Sequence, residues 1–147
     1  MYMCILNRAF MTVDMMRQSN ITLLDLPDEI LLIILKKLSN MDVLYSLLDV
    51  DNQRLDILIR GEAFTKSLNF ILTTITDNVL SIADSILDRF CINILPKIGY
   101  NIRSLILESG SMKRILLAAN YPNLTEIKLY NVNDYIILHH FTGKILQ

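Results

Sequence analysis

The chain has 147 residues, with 14 Lys+Arg against 15 Asp+Glu and a formal net charge of −1. That length makes one domain or two very small ones. The charge balance excludes the basic surplus that a general nucleic-acid binder needs. Hydrophobic residues at 52% and charged residues at 20% exclude an intrinsically disordered chain. With 4 Gly and 3 Pro, the turn formers are too few for an all-β barrel or a Gly-rich phosphate loop.

Residues 1–21 hold five of the seven methionines, Met1, Met3, Met11, Met15 and Met16. Their pattern is poor, so a loosely structured N-terminal extension is expected, with a docking helix as the alternative. Met1–Leu6 has no basic residue ahead of its apolar stretch, and Asn7-Arg8 interrupts it, which is not a signal-peptide layout. The longest apolar run, Ile30–Leu35, has six residues, against about 20 for a spanning helix. Cys4 and Cys91 have neither metal-ligand nor disulfide spacing. A reducing compartment, cytoplasmic or nuclear, with no membrane contact is the expectation.

Residues 26–38 form the clearest predicted helix. Pro27 suits its first position, where a missing N–H costs nothing. Asp28 and Glu29 lie at the positive end of the dipole, and Lys36 and Lys37 at the negative end. Asn40 is expected to cap a second helix reaching about Asp49. A third runs from about Asp51 to Ile59, with Gly61 ending it. On the first helix, Ile30, Leu31, Ile34, Leu35 and Leu38 make one apolar stripe, with Leu32 and Ile33 outside it. A unit of about 35 residues buries too little surface to cover such a helix alone. Either the rest of the chain or a partner protein covers the second face.

Beyond residue 61 the pattern changes. Ser67–Ile71 alternates like a strand. An amphipathic helix is predicted from about Asn78 to Leu95, with Pro96 just beyond. Strand patterns at Ile102–Glu108 and Leu124–Tyr130 flank a helical stretch near Met112–Ala119. Ile102, Leu105 and Leu107 match Leu124, Ile127 and Leu129 at an offset of 22 residues. That period falls in the leucine-rich repeat range of roughly 20–29. Asn133–Gln147 is expected to supply one last helix.

Leu26-Pro27-Asp28-Glu29-Ile30-Leu31, followed by Ile34, Leu38, Asp42, Leu44, Leu47 and Val50, resembles the F-box over roughly residues 22–61. Two departures stand out. Arg54-Leu55 occupies the place where many F-boxes have Trp or Phe, and Asp51 reads as one extra residue, absorbed in the turn before the third helix. The resemblance implies a substrate-receptor subunit of an SCF-type ubiquitin ligase. It would dock the Skp adaptor and, through it, a cullin scaffold, and hold an unidentified protein substrate. Such a protein is not an enzyme, has no cofactor or metal, and acts by proximity. Leu26, Pro27, Ile30, Leu31, Ile34 and Leu38 are then the adaptor-binding positions.

Leucine-rich repeats commonly follow F-boxes, and Tyr121–Leu129 resembles such a repeat. In that geometry Ser104, Ile106, Glu108, Glu126, Lys128 and Tyr130 line a concave, substrate-binding face. The expected fold class is α+β or α/β: a three-helix F-box at 22–61, then an incomplete leucine-rich-repeat-like β/α solenoid at 62–147. A solenoid needs about three repeats. Two clear copies and a degenerate one near Leu68 therefore leave a truncated or decoy F-box protein as an alternative. An unrelated small α/β protein is the other.

Competing chemical signals are weak. His139 and His140 are adjacent and do not face the same way on a helix, so they make a poor metal pair. Cys91 lies on an apolar helix face near Phe90 and Ile94 and reads as an inert core cysteine. No Ser-His-Asp, paired-carboxylate or Gly-rich pattern stands out.

Overall fold

In the computed structural model, residues 21–132 are described. The N-terminal methionine segment up to residue 20, the last expected helix and His139-His140 lie outside them. The fold mixes helices with small parallel and antiparallel sheets. It divides into two compact units, Met1–Thr65 and Lys66–Gln147.

The first unit is helical. A 3₁₀ turn at Leu23–Asp25 leads into α1, Asp28–Leu35. Pro27 is the residue ahead of α1 rather than its first residue. Its φ of −58° with ψ of 153° is extended, and its carbonyl accepts the first helical bond, from Leu31 N at 2.9 Å. α1 also ends sooner than its apolar pattern. Lys37 N and Leu38 N fall back on Ile34 O and Leu35 O, three residues behind, which tightens the last turn and stops the helix.

The cap of α2, Asn40–Leu47, is Ser39 and not Asn40. Ser39 Oγ accepts from Asp42 N at 3.1 Å and donates to Asp42 Oδ2 at 2.7 Å. Between α2 and α3, Gln53–Ile59, the chain turns through Asp49 and Asp51, at φ 63° and 60°. Short acidic side chains tolerate this left-handed region better than most. The turn takes up Asp51, so the third helix starts later than expected, capped by Asn52 Oδ1 on Leu55 N at 2.9 Å. Gly61 follows the Arg60 cap and closes α3 as expected, its N–H on Leu58 O at 3.2 Å. A short helix α4, Glu62–Thr65, comes after it and packs with α2, and the unit reaches Thr65.

The second unit is built on a parallel sheet of three strands, in the order β1 (Ser67–Asn69), β4 (Ser104–Glu108), β5 (Glu126–Tyr130). Leu105 pairs with Ile127 and Leu107 with Leu129, so the 22-residue offset is the register of the sheet. Leu68 pairs with Leu105. Each pairing starts alike. Arg103 N and Ser104 N share the Lys66 carbonyl, and Thr125 N and Glu126 N share the Arg103 carbonyl.

The strand expected over residues 67–71 is two strands. After Phe70 N donates to Ile106 O at 2.8 Å, the chain leaves the sheet. β2, Ile71–Thr73, then forms a hairpin with β3, Val79–Ser81, around Asp77 at φ 58°. The helix expected from Asn78 therefore begins only at Asp84, as α5, Asp84–Arg89. Val79 and Leu80 fit a strand as well as a helix, and the partner strand decides. A π-turn, Phe90–Ile94, continues α5 into α6, Leu95–Ile98, which contains Pro96 rather than stopping before it. Leu95 N reaches back five residues to Phe90 O, and this wider turn accommodates a residue with no N–H to donate. Phe90 meets Phe70 edge to face, centroids 5.2 Å apart. α7, Ser109–Ala118, links β4 to β5. No described helix is long and apolar enough to cross a membrane.

Candidate functional site

α1 carries apolar residues on two sides. Leu31 and Leu35, four apart, point inward and are 0% and 1% exposed. Ile30 and Ile33, three apart, are 44% and 56% exposed, and Leu24 ahead of the helix is 43% exposed. Three- and four-residue spacings each run along one helix face, so these are two separate seams. The single stripe expected from the sequence is split between them. Pro27 is exposed with Ile30, while Leu26, Ile34 and Leu38 are half-buried. Leu31, expected among the adaptor-facing or adaptor-supporting positions, is fully enclosed and lies beneath the surface rather than on it. Ile33 takes its place on the outside; its position off the predicted stripe was the available sign.

Arg54 holds this region from α3. It donates from Nε to Asp28 Oδ1 at 2.6 Å and from Nη1 to Leu24 O at 2.7 Å, and its Nη2 bonds Leu26 O. The residue after it, Leu55, is buried. Where an aromatic was expected, a guanidinium ties down the segment ahead of α1 and a leucine fills the interior.

The second candidate surface is the sheet face opposite Leu105 and Leu107. Side chains alternate along a strand, so Ser104, Ile106 and Glu108 share one face of β4, and Glu126, Lys128 and Tyr130 share that of β5. The register sets Ser104 beside Glu126, Ile106 beside Lys128 and Glu108 beside Tyr130. Exposed Ser67 and Asn69 join from β1, which the two clear repeats did not include. Ser104 Oγ donates to Glu126 Oε2 at 3.0 Å, and Lys128 Nζ lies 3.5 Å from Glu126 Oε1. Much of the polarity of this face is thus paired internally. Glu108 is a correction. At 6% exposure it is not on the open face. The unforeseen hairpin brings Ser81 and Ile82 beside it and encloses that end of β4.

Among the described residues no three His, Cys, Asp or Glu side chains are grouped to hold a metal ion. Burial pushes the Cys91 thiol up, and nearby Arg114 opposes this only in part. Arg114 comes from α7, and the raised thiol stays poorly suited to nucleophilic work. Tyr121 is also pushed up by burial, and its hydroxyl donates to Ile115 O at 2.5 Å. A comparison with protein-family models finds no match for this chain. A comparison with curated proteins finds none either.

Proposed function

We propose that the chain is a substrate-receptor subunit of an SCF-type ubiquitin ligase. The segment 26–38 docks a Skp-type adaptor, which joins a cullin scaffold, and the second unit presents a protein substrate. The observation that carries this reading is the outer seam of α1. Pro27, Ile30 and Ile33 stand exposed on a helix whose opposite seam, Leu31 and Leu35, already fills the interior. Large apolar side chains grouped on one exposed helix face suit a protein partner better than water. The F-box-like sequence names the partner.

The test is co-expression with a Skp adaptor and size-exclusion chromatography of wild type and the double variant Ile30→Glu/Ile33→Glu. Both positions face outward, so the variant keeps its helical circular dichroism. The expected result is co-elution of wild type and loss of co-elution by the variant. A folded wild type that never co-elutes would overturn the reading and leave a small α+β protein of other purpose. The internal pairing of Ser104, Glu126 and Lys128 favours a second reading, a decoy that docks the adaptor without a working substrate face. Substrate capture by the assembled complex separates the two.

A further inference from the structure

A cleft of about 170 Å³ opens at the carboxyl end of β4, lined among others by Ser81, Ile82, Leu87, Glu108, Ser111 and Arg114. We propose that this cleft binds a primary alkylammonium group, with Glu108 as its counter-ion. The inference is independent of the adaptor reading.

Glu108 is 94% buried by its 6% exposure, faces the cleft, and its carboxylate has no hydrogen-bond or ion-pair partner among the described residues. Its carboxylate opens onto the cleft with no counter-charge among the described residues, so a cation entering the cleft supplies one. Gly110 leaves room for it in this position, since a Cβ there would lie 2.9 Å from Glu108 Oε1.

The surroundings choose the ligand. Arg114 is already committed, with Nη1 3.4 Å from Asp84 Oδ1 and Nη2 bonded to Asp88. With Arg114 paired to Asp84 and Asp88, Glu108 is left as the unpaired charge of the lining. A divalent metal is disfavoured, because no three metal-ligating side chains group among the described residues. An ammonium head has three donors to place. Glu108 offers two acceptor oxygens. Ser111 Oγ directs its proton to Glu108 O at 3.4 Å and keeps lone pairs for a donor. Ser81 also lines the cleft. Ile82 and Leu87, 5% and 4% exposed, give an apolar wall for a methylene chain. The volume of about 170 Å³ admits a butylammonium or the end of a lysine side chain.

The experiment titrates the ¹⁵N-labelled full-length protein with n-butylammonium chloride, Nα-acetyl-lysine amide, its Nε-acetylated counterpart and sodium chloride at matched ionic strength. The amides of Ser81, Gly110 and Ser111 should shift saturably with the amines and not with the acetylated compound or salt. In Glu108→Gln, which keeps the shape and removes the charge, affinity should fall about tenfold or more. Ser111→Ala should weaken binding by a smaller factor while leaving the thermal unfolding profile in place. Binding of both amines supports the shared head group. Binding of the lysine amide alone supports the site and identifies a protein side chain as its source, and binding of butylammonium alone identifies a free amine. Shifts that follow ionic strength only, or equal binding by the Nε-acetylated compound or by Glu108→Gln, would overturn the proposal.

Discussion

Arg54 and Asp28 are 26 residues apart in sequence, and Arg54 Nε donates to Asp28 Oδ1 over 2.6 Å. The same guanidinium also bonds the carbonyls of Leu24 and Leu26, so one side chain of α3 fixes both the chain leading into α1 and its first residue. The charge pair is about half exposed on both sides, at 40% and 51%. Exposed ion pairs contribute only about 0–1 kcal/mol. The carbonyl bonds carry more of the effect, because removing Arg54 leaves two acceptors without their donor. Arg54→Ala is expected to cost about 1–3 kcal/mol in denaturant unfolding, and Asp28→Asn less than about 1 kcal/mol. Equal losses in the two variants would assign the effect to the ion pair instead.

The two seams of α1 predict opposite responses to the same truncation. Leu31 is fully enclosed, so Leu31→Ala leaves a cavity and should cost about 2–5 kcal/mol. Ile33 is 56% exposed, and Ile33→Ala should change stability by no more than about 0.5 kcal/mol. Urea midpoints at constant m-value measure both. The contrast governs functional tests. A charge at Leu31 would unfold the unit and say nothing about a partner surface, whereas a charge at Ile33 interrogates that surface directly.

Asp42 makes a pH prediction. It is 1% exposed on α2; Oδ2 is bonded to Ser39, while Oδ1 finds no partner among the described residues. Burial pushes its carboxyl above the ordinary range, and the Ser39 bond only partly offsets this. The native state therefore holds the proton more tightly than the unfolded chain does. Stability attributable to this group falls as pH rises from about 4 through the raised native value, and the full penalty applies above it. Asp42→Asn removes the charge and keeps an acceptor for the Ser39 hydroxyl. At neutral pH the variant should be more stable by about 1 kcal/mol, and the difference should vanish below about pH 4. Thermal unfolding of both proteins across pH 3–8 reads the difference directly. A variant that is less stable at neutral pH would mean that an unseen partner satisfies Oδ1.

The parts of the fold that were legible in the sequence are those set by local chemistry or by an exact repeat. Asp28 and Glu29 at the start of α1, and the 22-residue match of Leu105 and Leu107 to Ile127 and Leu129, needed no distant information. What could not be read was decided by contacts far apart in the chain. Val79–Ser81 is a strand because Ile71–Thr73 returns to meet it. Pro96 lies inside a helical run because a π-turn widens ahead of it. Glu108 followed the alternation expected of a strand, but a hairpin whose second strand, Val79–Ser81, was expected as helix enclosed it. Of the six residues expected on the sheet face, five are at least partly exposed, and the sixth lines a cleft with Ser81 and Arg114, whose proximity no local pattern announces.

Two glycines predict opposite outcomes for one substitution. A Cβ at Gly99 would lie 2.6 Å from the backbone oxygen of Asn120 and 3.0 Å from Ala119 Cβ. Backbone cannot swing aside, so Gly99→Ala must separate the turn after α6 from the end of α7. The expected cost is about 1–3 kcal/mol, larger than the favourable propensity change of roughly 1 kcal/mol that alanine brings to a helix. At Gly110, in the first turn of α7, the near neighbours are the carboxylate atoms of Glu108 alone, at 2.9–3.5 Å. That group is the free end of a flexible side chain and can move into the cleft. Gly110 has no positive φ to lose, so Gly110→Ala should stabilise by about 0.4–1 kcal/mol through the unfolded chain. Denaturant unfolding of the pair distinguishes close backbone approach from side-chain accommodation. Destabilisation at Gly110 would show that the Glu108 carboxylate is held in place more firmly than its lack of partners implies.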